Sequence, residues 1–377
     1  MKIGVLVTSS FTTEVLKFEY FRIDAPKRPW LKETPAKIRF KYHDKDWKSQ
    51  AECVTSDGAI VSYLKWKIKS GVNVHVEAVF PKELTRHSAR QFDLIFCPMV
   101  DILEYATIAP LHEQQRFKNV LQNIPNIYPS FQVQKLINDK AAYHSFFTKR
   151  RIPMIDTISF QKKDVSSPQQ LKRTIAKIKR RSRTHKWLRI VVKPNSGQEG
   201  IGFSALPENV DDDRLANVLQ DVLATFDSVL VQEYIPGFDK RTMEHRLYTI
   251  NDKYCYTVIT QRSLERPRWV KEEGGDVKSK WFKDAKKLAA KVCRLMPKTV
   301  INGIKLPNML MRSDIGYRLT GKGTALFLSE QEFVPSLYAR ECPKGIFPEQ
   351  LVGDAIIKIA RVYQSQQKSS KSNRSRM

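Results

Sequence analysis

The reading turns on the stretch VVKPNSGQEGIGF, residues 191–203. Leu188, Ile190, Val191 and Val192 make a short apolar run that reads as a buried strand. Lys193 closes the strand, and a loop follows with Ser196, Gly197, Gly200 and Gly202. Glycines let backbone N–H groups approach phosphate oxygens, and a lysine at the foot of the loop adds a point charge. The spacing is not the GxxxxGK[ST] of a P-loop. No acidic residue follows at the distance that a dinucleotide fingerprint requires. Alone, the stretch reads as a phosphate-binding loop or, equally, as a glycine-rich hairpin turn.

Working outward, residues 3–8, 72–80 and 92–96 read as strands of an open α/β unit over 1–125. Asp93 and Asp101 are expected in loops at a strand's carboxyl end, and residues 11–70 resist parsing. Asp139 reads as the N-cap of a helix over 140–150. Leu171, Ile175 and Ile178 mark a basic amphipathic helix over 168–181, and another helix starts at 211–213. Strands are expected at 228–234, 244–250, 254–260 and 324–330, with Asn251-Asp252 as a hairpin turn. Residues 263–280 read as a charged, mobile loop, and 283–296 and 351–363 as helices.

The chain has 377 residues, and a hydrophobic content of 41% suits a folded protein. No apolar run approaches a membrane span. Five cysteines without a CxxC pair argue against a zinc knuckle or disulfide framework and fit a reducing, cytoplasmic setting. The net charge of +26 favours anionic partners. Its local maxima are 162–186 and the polar tail 364–377, read as a solvated face and a disordered end, with weak polyanion binding as the functional alternative.

Polar residues recur near the expected strand ends. Lys140 starts a helix; Gln232 and Glu233 lie in a strand; Glu244 and Arg246 alternate, so both point to one face. Arg262 follows the next strand. Asp314 is expected before a hairpin-like segment that Glu330 and Glu332 close, again two apart. Each pair has a bland reading as the wet side of a strand. Like charges two apart repel, however, and a divalent cation would relieve this. Asp314, Glu330 and Glu332 offer the hard oxygens that Mg²⁺ prefers.

In this order the chain resembles the ATP-grasp superfamily over about residues 130–340. The resemblance rests on NDKAAYHSFF with Lys140, the 191–203 loop with Lys193, VLVQEYIPG, EHRLYTI, Arg262 in ITQRS, Asp314 in MRSDIGYR, and Glu330 with Glu332 in LSEQEFVPSL. It implies an α/β (α+β) ATP-grasp fold: an N-terminal α/β domain at 1–125, a central subdomain at 126–230 and a C-terminal subdomain at 231–363. It implies ATP and two Mg²⁺ ions. Lys140, Lys193, Ser196, Gly197, Gly200 and Gly202 would hold phosphates. Gln232, Glu233, Tyr234 and Ile235 would meet adenine, and Glu244 would hold the ribose or orient a lysine. Arg262, Lys193 and Arg246 would act in catalysis, and Asp314, Glu330 and Glu332 would hold metal. Glu332 departs from the family, which carries asparagine there.

The implied reaction joins a carboxylate of a small molecule or peptide to an amine or thiol through an acylphosphate. A homodimer is one expected state. The rival readings are a kinase of a polyanionic alcohol on the same fold, a basic nucleic-acid-binding protein, and an ATP-binding pseudoenzyme.

Overall fold

The computed structural model of the chain describes residues 1–8, 19–43, 49–100, 110–196, 202–235, 244–260, 268–270, 280–320, 323–333, 335–339 and 345–374. Gly197, Gly200, Asp101, Arg262 and most of the expected 263–280 loop lie outside them.

Strand β1 (Lys2–Leu6) begins a parallel sheet. The chain then makes a small antiparallel sheet from β2 (Tyr20–Arg22), β3 (Phe40–Tyr42) and β4 (Ala51–Thr55), followed by helix α1 (Ser56–Lys69). It returns as β5 (His75–Val79) and β6 (Leu94–Phe96), passes through α2 (Leu111–Gln122) and closes the parallel sheet with β7 (Ile127–Tyr128), in the order β5-β1-β6-β7. Asp93 is a correction: it stands at the amino end of β6, not a carboxyl end. Its carboxylate accepts the Lys2 N–H at 2.7 Å, so it registers β6 against β1.

Helices α3 (Phe131–Asn138) and α4 (Lys140–Thr148) lead to the next unit. There β8 (Thr157–Gln161), α5 (Pro168–His185), β9 (Arg189–Pro194), β10 (Ser204–Pro207), α6 (Asp212–Thr225) and β11 (Ser228–Glu233) follow in turn. The four strands are antiparallel in the order β10-β9-β11-β8. Their period of two sends Phe160, Ile190, Val192, Val229 and Val231 to one face, packed under Ile175 and Ile178 of α5 and Leu215 and Leu219 of α6. The opposite face carries Lys193, paired with Leu230, which is paired in turn with Ser159.

The third unit runs through β12 (Glu244–Ile250), β13 (Lys253–Thr260), β14 (Arg268–Val270), α7 (Lys280–Leu295), a short hairpin β15 (Val300–Ile301) and β16 (Ile304–Lys305), then β17 (Leu310–Thr320) and β18 (Gly323–Glu332). The large sheet is antiparallel, in the order β14-β13-β12-β17-β18. Asn251 and Asp252 turn the β12–β13 hairpin with φ of 51° and 62°. Helix α7 seals one sheet face, with Ala285, Ala289 and Val292 against Leu247, Met311, Ile315 and Leu328.

Helix α8 (Pro348–Arg374) corrects the expected disordered tail: the helix runs past Tyr363 to Arg374. No glycine or proline between these positions interrupts it. Its apolar side, including Ile356, Ile359, Ala360 and Tyr363, packs into the N-terminal core with Trp30, Tyr63 and Leu64. Gly353 permits this approach, since a Cβ there would stand 2.5 Å from the Tyr63 ring.

Candidate nucleotide and metal site

The site begins with a cap. The Asp139 carboxylate accepts the Ala142 N–H at 2.8 Å and so starts α4. The same oxygen accepts the Asn195 side-chain amide at 3.0 Å, and the Asn195 oxygen accepts the Ala141 N–H at 2.7 Å. Asn195, two residues after Lys193, therefore ties the foot of the glycine loop to the start of α4. At the other end of the loop, Gly202 has φ of 70°, and a Cβ there would stand 3.1 Å from the Pro194 ring. Ser196 is exposed beside Asn195.

The carboxylates are arranged by register. Arg246 of β12 lies opposite Asp314 of β17, which lies opposite Glu330 of β18. The next row is Tyr248, Arg312 and Glu332. Asp314 thus lies inside the first strand of the β17–β18 hairpin, whose second strand carries Glu330 and Glu332. The polar run Arg312, Ser313, Asp314 hides that strand, because all three are buried.

Carboxylate oxygens of Asp314, Glu330 and Glu332 all lie within 4.8 Å of one another. Like charges this close need neighbouring cations or a proton on one of them. Arg312 binds Asp314 through two hydrogen bonds of 2.7 Å and reaches Glu332 at 2.7 Å. Lys140 meets Glu330 at 2.9 Å. Arg246 bonds Glu244 at 3.1 Å, lies 3.8 Å from Asp314 and donates to the Tyr338 hydroxyl.

Burial works against the Glu330 carboxylate, but Lys140 and Lys193 outweigh it and hold the group down at about 2. Glu332 goes the other way: burial, with Glu330 and Asp314 adding to it against Arg312, pushes it to about 8. Glu244 is raised by burial and by Asp314. Lys193 is lowered to about 8, first by burial and then by Lys140. Tyr143, fully buried beside the three carboxylates, has its phenol raised by burial and by their charge.

At the end of β11, the Gln232 amide donates to Thr157 Oγ1 at 2.8 Å and Glu233 accepts Arg318 at 3.0 Å. The Glu233 N–H goes to the Asp156 carbonyl and the Tyr234 N–H to the Arg189 carbonyl. Ile235 is buried against Ile155 and Phe327.

Lys140, Lys193, Glu244, Arg246, Asp314, Glu330 and Glu332 are thus brought together, whereas Gln232–Ile235 form a separate edge. Sequence reasoning missed Arg312, Asn195, Tyr143 and Tyr338. Arg312 was findable, because it stands two residues before Asp314 on the same strand face. Tyr338 was not, since it reaches Arg246 from 92 positions away.

No family model matches the sequence, and no curated protein matches it. Solved structures do match. The D-cycloserine synthetase DcsG superposes with a TM-score of 0.59 at 15% identity, covering 96% of this chain and 99% of that one. The D-alanyl-alanine synthetase A from Vibrio cholerae gives 0.55 at 14% identity, covering 97% and 98%. The D-alanine–D-alanine ligase from Bacillus anthracis, complexed with ATP, gives 0.53 at 14%, covering 97% and 99%. The chain has the ATP-grasp fold. In an ATP-grasp arrangement, the β8–β11 sheet and the β12–β18 sheet are the two jaws. Lys193 stands on one jaw and the carboxylate row on the other.

Proposed function

We propose that this ATP-grasp protein is an ATP-dependent ligase that joins a carboxylate to an amine or thiol, with ADP and phosphate released. The observation that carries this reading is the meeting of Lys140 and Lys193 with the Asp314, Glu330 and Glu332 cluster between two antiparallel sheets. The ATP-grasp neighbours named above are, by name, synthetases and ligases, which supports the class.

Lys140 and Lys193 would hold phosphate oxygens, and the 196–202 loop would cover them. The hinge offers the Glu233 carbonyl and the Ile235 N–H to an adenine edge, with Gln232 and Tyr234 beside it, and Glu244 would face the ribose. The donor set suits Mg²⁺, being carboxylate oxygens gathered on one face. When bound, Mg²⁺ neutralises charge on the transferring phosphoryl group; two ions suit the number of carboxylates. Arg246 would hold the substrate carboxylate, and Arg262 is assigned from the sequence to the charge that develops on the transferring phosphoryl group or acylphosphate. Catalysis here is positioning and charge neutralisation.

The test is ADP release with Mg²⁺, screened against pools of amino acids, peptides and polyamines, with products read by mass. A product heavier than the carboxylate by the amine minus water supports ligation. A stable phosphorylated alcohol instead would make the chain a kinase.

A further inference from the structure

Helix α5 presents Lys172, Arg173, Lys177, Arg180 and Arg183, all exposed. Its buried side is Thr174, Ile175, Ile178 and Ser182. At 100° per residue the five cations cover one arc opposite that side, shared with Gln169, Ala176 and Thr184. Two neighbouring cations are already engaged, Lys179 by Asp212 and Arg181 by Asp156. Among the described residues, none of the five meets a carboxylate; Lys177 lies 5.4 Å from the Phe160 ring. Exposed Lys162 and Lys163 lead into the helix, and exposed Lys186 leaves it.

The face has no large apolar side chain. A protein interface needs an apolar core, and a helix lying on lipid needs an apolar face turned toward it. The apolar face of α5 is already used on the sheet. Regularly spaced guanidinium and ammonium groups without an apolar core fit a string of phosphates. We propose that the outer face of α5 binds the phosphate backbone of a nucleic acid. It lies on the side of the β8–β11 sheet opposite Lys193, so such binding leaves the nucleotide site open.

The probe is a fluorescein-labelled mixed-sequence DNA duplex, titrated by anisotropy across salt concentrations. The triple variant Arg173→Glu, Lys177→Glu, Arg180→Glu should lose at least about tenfold in affinity at low salt. The slope of log K against log salt should become shallower by about 3. A matched variant, Lys283→Glu, Lys287→Glu, Lys291→Glu on α7, changes the net charge equally and should lose less than about threefold. Glutamine in place of glutamate at the α5 positions should give the same ordering with intact thermal unfolding. Equal losses from the two triple variants would reduce the effect to bulk charge and overturn the proposal, as would a parent protein that does not bind. Tighter binding to poly-glutamate, or to phosphatidylserine vesicles, than to the duplex would overturn it in favour of those partners.

Discussion

Arg312 bridges two of the three carboxylates of the acidic cluster, Glu332 and its buried partner Asp314. Removing one member of a buried pair costs about 3–5 kcal/mol, because the other charge is stranded. Arg312→Met is therefore expected to lower the unfolding free energy in urea by about 3 kcal/mol, with Mg²⁺ restoring part of the loss. A midpoint that Mg²⁺ leaves unmoved in this variant would argue against an ion among these carboxylates. Lys193 gives a second test. Lys193→Ala should weaken binding of a non-hydrolysable ATP analogue by about 2 kcal/mol, roughly thirtyfold, by calorimetry. The charge on Lys193 is full well below its value of about 8 and disappears above it. Nucleotide affinity should thus fall as pH rises through about 8, and Lys193→Arg should flatten that dependence. Because the native value is lowered, folding stability attributable to this lysine rises with pH from about 8 towards the ordinary lysine value. At the acidic cluster, Glu330→Gln should nearly abolish ADP release, whereas Glu332→Asn should retain it and Glu332→Ala should need more Mg²⁺.

At the scale of elements, the join between α4 and the glycine loop is the sharpest expectation. Asp139→Ala removes both the helix cap and a partner of Asn195. It should cost about 1 kcal/mol in thermal unfolding and also weaken analogue binding, whereas loss of a cap alone would leave binding intact. Much at this scale was legible in the sequence. Strands β11, β12 and β13 carry compact runs of apolar, aromatic and β-branched residues, and Asp139 and Asp211 announce their helices by chemistry. Strand β17 was not legible, because its buried middle is charged and is stabilised only by cross-strand partners that a linear reading cannot see. The same applies to Arg312. Residues 11–70 resisted because β2 and β3 are three residues each, too short for a period to show.

Across the whole molecule, the end of the chain returns to its beginning. Helix α8 follows the strands that carry the carboxylate row, yet its apolar side belongs to the core of the N-terminal unit. Gly353→Val should overpack against Tyr63 and lower stability by about 1–3 kcal/mol in urea. Trp30, buried in that same core, should report the loss by a red shift of its emission at lower denaturant.

That packing has a consequence for synthesis. Domains usually fold as they leave the ribosome, the first ones first. Here the Tyr63 hydroxyl waits for Asp354, 291 positions later in the chain, to accept its hydrogen bond at 2.9 Å. The N-terminal unit must therefore wait, with one wall of its core missing, while the positions between Tyr63 and Asp354 are made. A ribosome stalled before Pro348 is added should display a nascent chain whose N-terminal unit is still cut by protease, while the β8–β11 sheet, whose apolar face is covered by its own helices α5 and α6, already resists.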